Sequence, residues 1–302
     1  MIDERTLGKA LDVARDAARS AGDLLTAMIG TRRTVQFKGE RDMVTDADKA
    51  SEGLILLAIR SEFPSHSICA EEQGQIEGQG PGAVCEWFID PLDGTTNYAH
   101  GLPFFAVSIG LFVDGLPAVG VVYSPVSGEL YSAASGRGAF LNGSRIHVSS
   151  TSAMAQALVA TGFPYDMADC RNNNMDVFAR VIPLVQEVRR FGVASLDLAY
   201  VACGRFDAYW EPGLAPWDMA AGAVIVGEAG GVVTNFAGGP FRVGGKQVLA
   251  ANCVLHQSML HLVSGQGTVQ DASQGASRNC SPDTSQKTIR SSNGEAAIRN
   301  AC

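Results

Sequence analysis

The stretch 88-FIDPLDGTTNYAHG-101 has two carboxylates, Asp90 and Asp93, at the end of an apolar run that is typical of a buried strand. Two acids on one tight turn repel each other unless a cation or protons lie between them. The turn therefore predicts a bound counter-charge at the end of a buried strand.

The composition limits the classes of protein to which the chain can belong. Its 302 residues, 46% of them hydrophobic, suffice for one large domain or two modest ones. A net charge of -8 without a basic stripe argues against a nucleic-acid partner. Seven cysteines, an odd number without a C-x-x-C pair, argue against a disulfide framework and a zinc knuckle. We therefore expect a globular protein with reduced thiols.

The chain also lacks the signals of membrane insertion and export. No run of about 18 apolar residues is present, and the first residues, MIDERTLGKALDVARD, carry acids and no apolar signal core. We therefore expect a cytoplasmic protein that neither spans nor binds a membrane.

Residue periodicity predicts an α+β or α/β chain with two halves and a tail. Residues 1–150 form the N-terminal α+β half, which holds the acidic motifs. Residues 151–264 form an α/β half in which strand-like and helical segments alternate, one of them a helix around 175-MDVFARVIPLVQEV-188. Residues 265–302 are rich in Ser, Gly, Gln, Asn and Thr, which predicts a disordered tail.

Within the first half, three regions have clear local patterns. Apolar residues recur every three or four positions from Leu7 to Met28, which predicts an amphipathic helix. Acids near Asp46 suit the start of a second helix, which Pro64 must end. Residues 104–146 read as a β meander with a hairpin turn.

Carboxylates occur at the ends of four apolar segments, in the motifs 42-DMVTDAD-48, 70-AEE-72, 90-DPLD-93 and 216-PWDMAAG-222. Each motif alone also fits a helix cap, a turn or an exposed acid. Together they favour a Mg²⁺ site, because this hard cation binds carboxylate oxygens and fills its remaining positions with water or substrate phosphate. The five histidines form no H-E-x-x-H motif, and both a Walker A loop and a G-x-G-x-x-G turn are absent.

The motifs FIDPLDGTTNY and WDMAAGAVIVGEAGG, together with DMVTDAD and AEE, resemble the signatures of the inositol monophosphatase family of metal-dependent sugar phosphatases. The resemblance covers about residues 5–262. It implies a layered αβαβα sandwich, Mg²⁺ dependence, lithium sensitivity and often a homodimer. It also implies a small phosphorylated polyol or sugar as substrate, most often inositol 1-phosphate.

The resemblance further implies roles for individual residues. The metal ligands would be Glu71, Asp90, Asp93, Asp218 and the carbonyl of Leu92. Asp48 and Thr95 would orient and deprotonate the attacking water, with Glu71 also catalytic. The substrate would contact Asp93, Gly94, Thr95, Gly192, Val193, Ala194, Glu211 and Asp218. Gly94 and Thr95 would begin a helix, where free backbone N–H groups can hold phosphate oxygens.

The chemistry of phosphate ester hydrolysis supports such a site. A phosphate monoester dianion repels hydroxide, and its uncatalysed hydrolysis is extremely slow. Two divalent cations can neutralise the phosphate, activate a water and stabilise the leaving oxygen. They would also suppress the repulsion between Asp90 and Asp93, which accounts for the acidic turn.

Several alternatives remain open at this level. Fructose 1,6-bisphosphate, histidinol phosphate and nucleoside 3',5'-bisphosphate are substrates of related enzymes, although TTNY and WEPG favour inositol phosphate. A haloacid-dehalogenase phosphatase would have D-x-D-G-T, whereas DPLDGT is one residue longer. A metal-binding interaction module is an alternative of another class. The sequence assigns no role to Lys38.

Overall fold

The computed structural model describes residues 2–29, 35–37, 43–79, 85–165 and 173–265. The helices within these ranges are α1 (Glu4–Met28), α2 (Asp46–Glu62), α3 (Thr95–Ala99), α4 (Met175–Val181), α5 (Ala194–Ala202), α6 (Pro216–Glu228) and α7 (His256–Ser264). The strands of the first half are β1 (Val35–Phe37), β2 (Met43–Thr45), β3 (Ser67–Ala70), β4 (Gly74–Ile76), β5 (Cys85–Asp93), β6 (Ala106–Val113), β7 (Leu116–Ser124), β8 (Glu129–Ala134), β9 (Gly138–Leu141) and β10 (Ser144–Ile146). Those of the second half are β11 (Leu158–Thr161), β12 (Glu187–Arg189), β13 (Ala208–Pro212), β14 (Val232–Thr234) and β15 (Gln247–Ala251).

Two large sheets form the framework of the described chain. The first has eight strands in the order β10-β9-β8-β7-β6-β5-β3-β4, and only its β3–β5 pair is parallel. The second has five strands in the order β12-β11-β13-β15-β14. A separate two-stranded ribbon pairs β1 with β2. The acidic turn thus ends β5, a strand inside the larger sheet.

Successive side chains of a strand point to opposite faces of the sheet, and in both large sheets helices pack on each face. Trp87 of β5 belongs to a core that it shares with α1 and α2, whereas its neighbour Phe88 faces α5 and α6. In the second sheet, Tyr209 of β13 joins this central core, and Trp210 faces α4 and α7. The result is the layered αβαβα sandwich that the resemblance implied. None of the described helices is both long and apolar enough to cross a membrane.

The first two helices agree with the sequence prediction, and their caps explain where they begin. The side chain of Asp3 accepts a hydrogen bond from the Thr6 N–H at the start of α1. Thr45 and Asp48 form a reciprocal capping box at the start of α2. The second helix ends at Glu62, just before Pro64.

The prediction of a helix around residues 175–188 is wrong in its length. Only Met175–Val181 is helical, and Glu187–Arg189 forms β12, which pairs in parallel with β11. Ile182 still has helical dihedral angles as the C-cap, and Pro183 after it accounts for the difference, since a proline has no N–H with which to continue the helical hydrogen bonds.

Two further predictions concern domains and the tail. The boundary expected between residues 150 and 151 falls between β10 and β11, and the division into halves stays a prediction. The tail 265–302 lies outside the described residues except for Gly265, which is the C-cap of α7.

Helix α6 lies unusually close to the large sheet because two strand residues lack a side chain. A Cβ atom at Gly120 of β7 would lie 2.4 Å from the carbonyl oxygen of Ala221, and one at Gly110 of β6 would lie 2.8 Å from the Cβ of Ala220. Both distances are shorter than van der Waals contact. This close packing fixes α6 at Ala220 and Ala221, directly after the turn that carries Asp218.

Replacing Gly120 by Ala is expected to push α6 away from the sheet and to lower the free energy of unfolding by about 1–3 kcal/mol. The matched control is Gly53→Ala in α2, where the added Cβ meets nothing within 4 Å. That change should raise the free energy of unfolding by up to about 1 kcal/mol, since Ala is the better helix former. Urea denaturation measures the free energy of unfolding of both variants. A Gly120→Ala protein as stable as the wild type would contradict the close packing.

Candidate active site

A cavity of about 560 Å³ opens where β3, β5, α3, α5 and α6 meet. Its wall contains ten of the predicted site residues, which are Glu71, Asp90, Leu92, Asp93, Gly94, Thr95, Gly192, Ala194, Glu211 and Asp218. Acids that are far apart in the sequence therefore converge on one pocket. Asp48 and Val193 are the predicted site residues that do not line it.

The acidic turn is shaped by a break in the pairing of β5 with β6. Asp90 pairs with Ser108 and Asp93 with Ala106, and the register shifts between the two pairs. Such irregularities redirect side chains and are common beside active sites. The Leu92 N–H donates to Asp90 Oδ1 at 3.0 Å, which fixes the carboxylate against its own turn.

Thr95 and Asp48 form a hydroxyl–carboxylate pair at the edge of the pocket. Thr95 Oγ1 lies 2.9 Å from Asp48 Oδ1 and 3.0 Å from the Leu92 carbonyl oxygen. Asp48 Oδ2 accepts hydrogen bonds from the Thr45 N–H and hydroxyl at 2.8 and 2.6 Å. Asp48 is fully buried behind Thr95, and burial raises its pKa even though these hydrogen bonds favour the charged form.

Gly94 must be a glycine for two reasons. It caps α3 with φ +92°, a left-handed conformation that disfavours other residues. A Cβ atom there would also lie 2.8 Å from Cγ2 of Val193. The side chain of Val193 is buried behind Gly94, so the structure does not bring it to the pocket, unlike its neighbours Gly192 and Ala194.

Hydrogen bonds from two helices hold the other carboxylates. Asp93 Oδ2 accepts from the N–H and the hydroxyl of Ser195 in α5, at 2.7 and 2.6 Å. Asp218 Oδ2 accepts from the Ala215 N–H at 2.7 Å, at the start of α6. Sequence reasoning missed Ser195, because it lies 102 residues from Asp93 and belongs to none of the acidic motifs.

The carboxylates perturb one another strongly. Burial, reinforced by the negative charges of Glu71, Asp93 and Asp218, raises the pKa of Asp90 well above its ordinary value. Burial also raises the pKa of Asp93 to about 6, although Ser195 opposes the shift. Burial and then the charge of Asp93 raise the pKa of Asp218 well above its ordinary value. A protein without a counter-charge therefore holds these groups at an electrostatic cost.

The described part of the chain contains no compact group of three or more His, Cys, Asp or Glu side chains in a ligating arrangement. The pocket acids nevertheless lie near enough to one another for the neighbouring charges to raise the pKa of Asp90. The hydrogen bonds from Ser195 and Ala215 hold Asp93 and Asp218 in these positions.

The lining of the pocket also contains the acid Glu211, the base Arg190 and aromatic side chains. Burial raises the pKa of Glu211 to about 7, and the Tyr209 hydroxyl and the charge of Arg190 oppose the shift. Arg190 and the segment 163–165 also line the pocket, and sequence reasoning missed both. Neither had a motif signal, since Arg190 follows another arginine and residues 163–165 form an irregular loop.

Known proteins of similar sequence identify the class of the enzyme, a phosphoric monoester hydrolase. An inositol-1-monophosphatase from Synechocystis sp. is 46% identical over 250 residues, which cover 82% of this chain and 86% of the relative. The Nus factor SuhB of Pseudomonas aeruginosa is 45% identical over 254 residues, which cover 83% of this chain and 94% of the relative.

A family model and a solved structure identify the family. The model of the inositol monophosphatase family matches residues 7–268. The solved structure of an inositol monophosphatase from Anabaena (Nostoc) sp. superposes with a TM-score of 0.78 at 43% identity, covering 88% of this chain and 99% of that one. This chain belongs to the inositol monophosphatase family, which confirms the resemblance seen in its motifs.

Replacing Asp90 by Asn is expected to raise the free energy of unfolding in EDTA at pH 7.5, because the neutral amide carries no charge for Glu71, Asp93 and Asp218 to repel. The raised pKa means that the folded protein loses stability as the pH rises above the ordinary Asp value of 3.8. The gain should therefore shrink as the pH falls toward 4, which urea denaturation at several pH values measures.

The matched control is Asp12→Asn on α1, where the side chain is 73% exposed. This surface change should alter the free energy of unfolding by less than about 0.5 kcal/mol. If the Asp90→Asn protein is less stable than the wild type in EDTA at pH 7.5, the inferred repulsion between Asp90 and the neighbouring carboxylates is wrong.

Proposed function

We propose that this phosphatase hydrolyses inositol monophosphate to inositol and phosphate, with Mg²⁺ as its cofactor. One observation carries the proposal, namely that Glu71, Asp90, Asp93 and Asp218 line one cavity beside the Thr95–Asp48 pair. The name of the Synechocystis relative supports inositol phosphate as the substrate.

The donor set of the pocket suits Mg²⁺. It consists of hard carboxylate oxygens, and the charges of Glu71, Asp93 and Asp218 raise the pKa of Asp90, as expected where a cation is needed to offset them. The residues that would hold the metal are Glu71, Asp90, Asp93, Asp218 and the carbonyl of Leu92. When bound, Mg²⁺ supplies charge neutralisation for the phosphate and a lowered pKa for water.

The protein's own groups orient the attacking water. Thr95 Oγ1 donates its proton to Asp48 Oδ1, so the lone pairs of the hydroxyl oxygen are available to a water in the pocket. Asp48 then receives the proton through Thr95 as the water attacks phosphorus. Glu71 lies on the same wall and assists in orienting the water.

Other groups that line the same pocket recognise the substrate. The backbone N–H groups of Gly94 and Thr95 hold the phosphate, with Asp93 and Asp218 close by. Glu211, held by the Tyr209 hydroxyl, accepts hydrogen bonds from ring hydroxyls of the polyol. The backbone of Gly192 and Ala194 lines the ring on this side, where Val193 contributes no side chain.

Three finer properties belong to the same proposal. We expect inhibition by lithium, which competes for a cation site, and a homodimer in solution, both on the grounds of family resemblance. We also expect a reducing compartment such as the cytoplasm. Among the described cysteines, Cys69, Cys85 and Cys203 are free thiols, in keeping with that compartment.

A second role as an interaction partner has one observation in its favour, the name Nus factor SuhB of the Pseudomonas relative. Such a role would not require turnover. An Asp93→Asn protein that loses hydrolysis and still performs this role in the cell would separate the two functions.

A phosphate-release screen tests the substrate. With Mg²⁺ present, inositol 1-phosphate should give a higher kcat/KM than fructose 1,6-bisphosphate, histidinol phosphate or adenosine 3',5'-bisphosphate. Added Li⁺ should inhibit each reaction that depends on the same site. A higher kcat/KM for one of the other three compounds would replace inositol phosphate as the proposed substrate.

Replacing Asp93 by Asn should lower Mg²⁺-dependent turnover by about 100-fold or more while the protein stays folded, because a buried charge that offsets the cation is lost. The control is Asp114→Asn in the exposed β6–β7 turn, where φ is +52° and Asn is well tolerated. Phosphate release measures the turnover, and circular dichroism reports whether each protein is folded. Near wild-type turnover of the Asp93→Asn protein would contradict the metal role.

A further inference from the structure

One turn of α2 carries three buried polar side chains, Asp48, Ser51 and Glu52, each with no exposed surface. They contact three different segments of the pocket wall. Asp48 holds Thr95, as described above. The other two do not line the pocket and have no part in the reaction described so far.

Ser51 holds the acidic turn of β5. Its hydroxyl donates to the carbonyl oxygen of Pro91 at 2.8 Å. Pro91 lies where the pairing with β6 shifts register, so this carbonyl has no regular partner across the sheet. Ser51 therefore satisfies a buried backbone group and fixes the peptide between Pro91 and Leu92, in the turn that carries Asp90 and Asp93.

Glu52 holds the turn that follows β3. Its Oε2 accepts a hydrogen bond from the Glu72 N–H at 2.8 Å. On the other side of the turn, the Glu71 N–H donates to the Ile89 carbonyl at 3.1 Å. The backbone of the Glu71 turn is thus held by both α2 and β5.

The second oxygen of Glu52 is an unusual feature. Oε1 is buried and has no hydrogen-bond partner among the described residues. A buried carboxylate that is only partly satisfied costs stability, and such groups call for an explanation beyond packing.

We propose that Ser51 and Glu52 are positioning residues, which set the affinity for the divalent cation by holding the 90–93 turn and Glu71 in place. The inference rests on the proposed Mg²⁺ site. Carboxylates that repel one another move apart unless their backbone is anchored, and both anchors come from a single rigid helix. Groups that hold metal ligands from behind commonly change metal affinity by about 10- to 100-fold when removed.

The test measures Mn²⁺ binding to the substrate-free protein, by the electron paramagnetic resonance of free Mn²⁺. Ser51→Ala and Glu52→Ala should each weaken binding by about 10- to 100-fold. Glu52→Gln should stay close to the wild type, because its amide oxygen can still accept from the Glu72 N–H. With inositol 1-phosphate, the first two variants should need more Mg²⁺ for half-maximal rate and regain most of kcat at saturating Mg²⁺.

Helix α2 offers matched controls on its exposed face. Ser61 also donates its hydroxyl to a backbone carbonyl, that of Ala58, at 2.9 Å, and Glu62 is a half-exposed partner of Lys9. Ser61→Ala and Glu62→Ala should bind Mn²⁺ as the wild type does. Thermal unfolding in EDTA reports whether each variant is folded, and Ser51→Ala decides the outcome alone if Glu52→Ala does not fold.

Unchanged Mn²⁺ affinity in folded Ser51→Ala and Glu52→Ala proteins would overturn this inference and leave the proposed function standing. A loss in Glu52→Gln as large as that in Glu52→Ala would also overturn it, since the charge rather than the hydrogen bond would then matter. A wild type that neither binds Mn²⁺ nor hydrolyses a phosphate ester would contradict the proposed function itself.

Discussion

Repulsion between buried carboxylates is the constraint on which the pocket depends. Burial alone would raise the pKa of Asp90, and the neighbouring charges of Glu71, Asp93 and Asp218 raise it further. A chain gains no stability from gathering acids in this way, so the arrangement requires the rest of the fold to hold them together. The same electrostatic cost makes the pocket receptive to a cation and, with it, to a phosphate dianion.

The layered sandwich supplies that support from several directions. The irregular end of β5 turns Asp90 and Asp93 toward the cavity. Ser195 in the first turn of α5 donates to Asp93, and the N-cap residue Ala215 of α6 donates to Asp218. Close packing of α6 on glycines of the large sheet fixes the helix that carries Asp218. On the opposite face, the buried polar turn of α2 holds the remaining segments. Each layer next to the pocket thus restrains part of it.

The sequence predicted those parts of the structure whose signals are local. Apolar periodicity predicted α1, and the acids near Asp46 together with Pro64 predicted α2. The short acidic motifs marked residues that line the cavity, and Glu211 was found by resemblance to the family. Contacts between distant segments had no such signal, so Ser195 and Arg190 were missed. The length of α4 was misjudged because apolar periodicity continued past Pro183. Val193 was predicted to contact the substrate, but its side chain packs behind Gly94, a contact between distant segments that no local motif signals.

The most direct test of the account is a crystal structure of the protein soaked in Mn²⁺, with data collected at a wavelength where manganese scatters anomalously. The account predicts anomalous peaks in the cavity, within bonding distance of carboxylate oxygens of Glu71, Asp90, Asp93 and Asp218. Peaks confined to other surfaces, with these four side chains left apart, would contradict it.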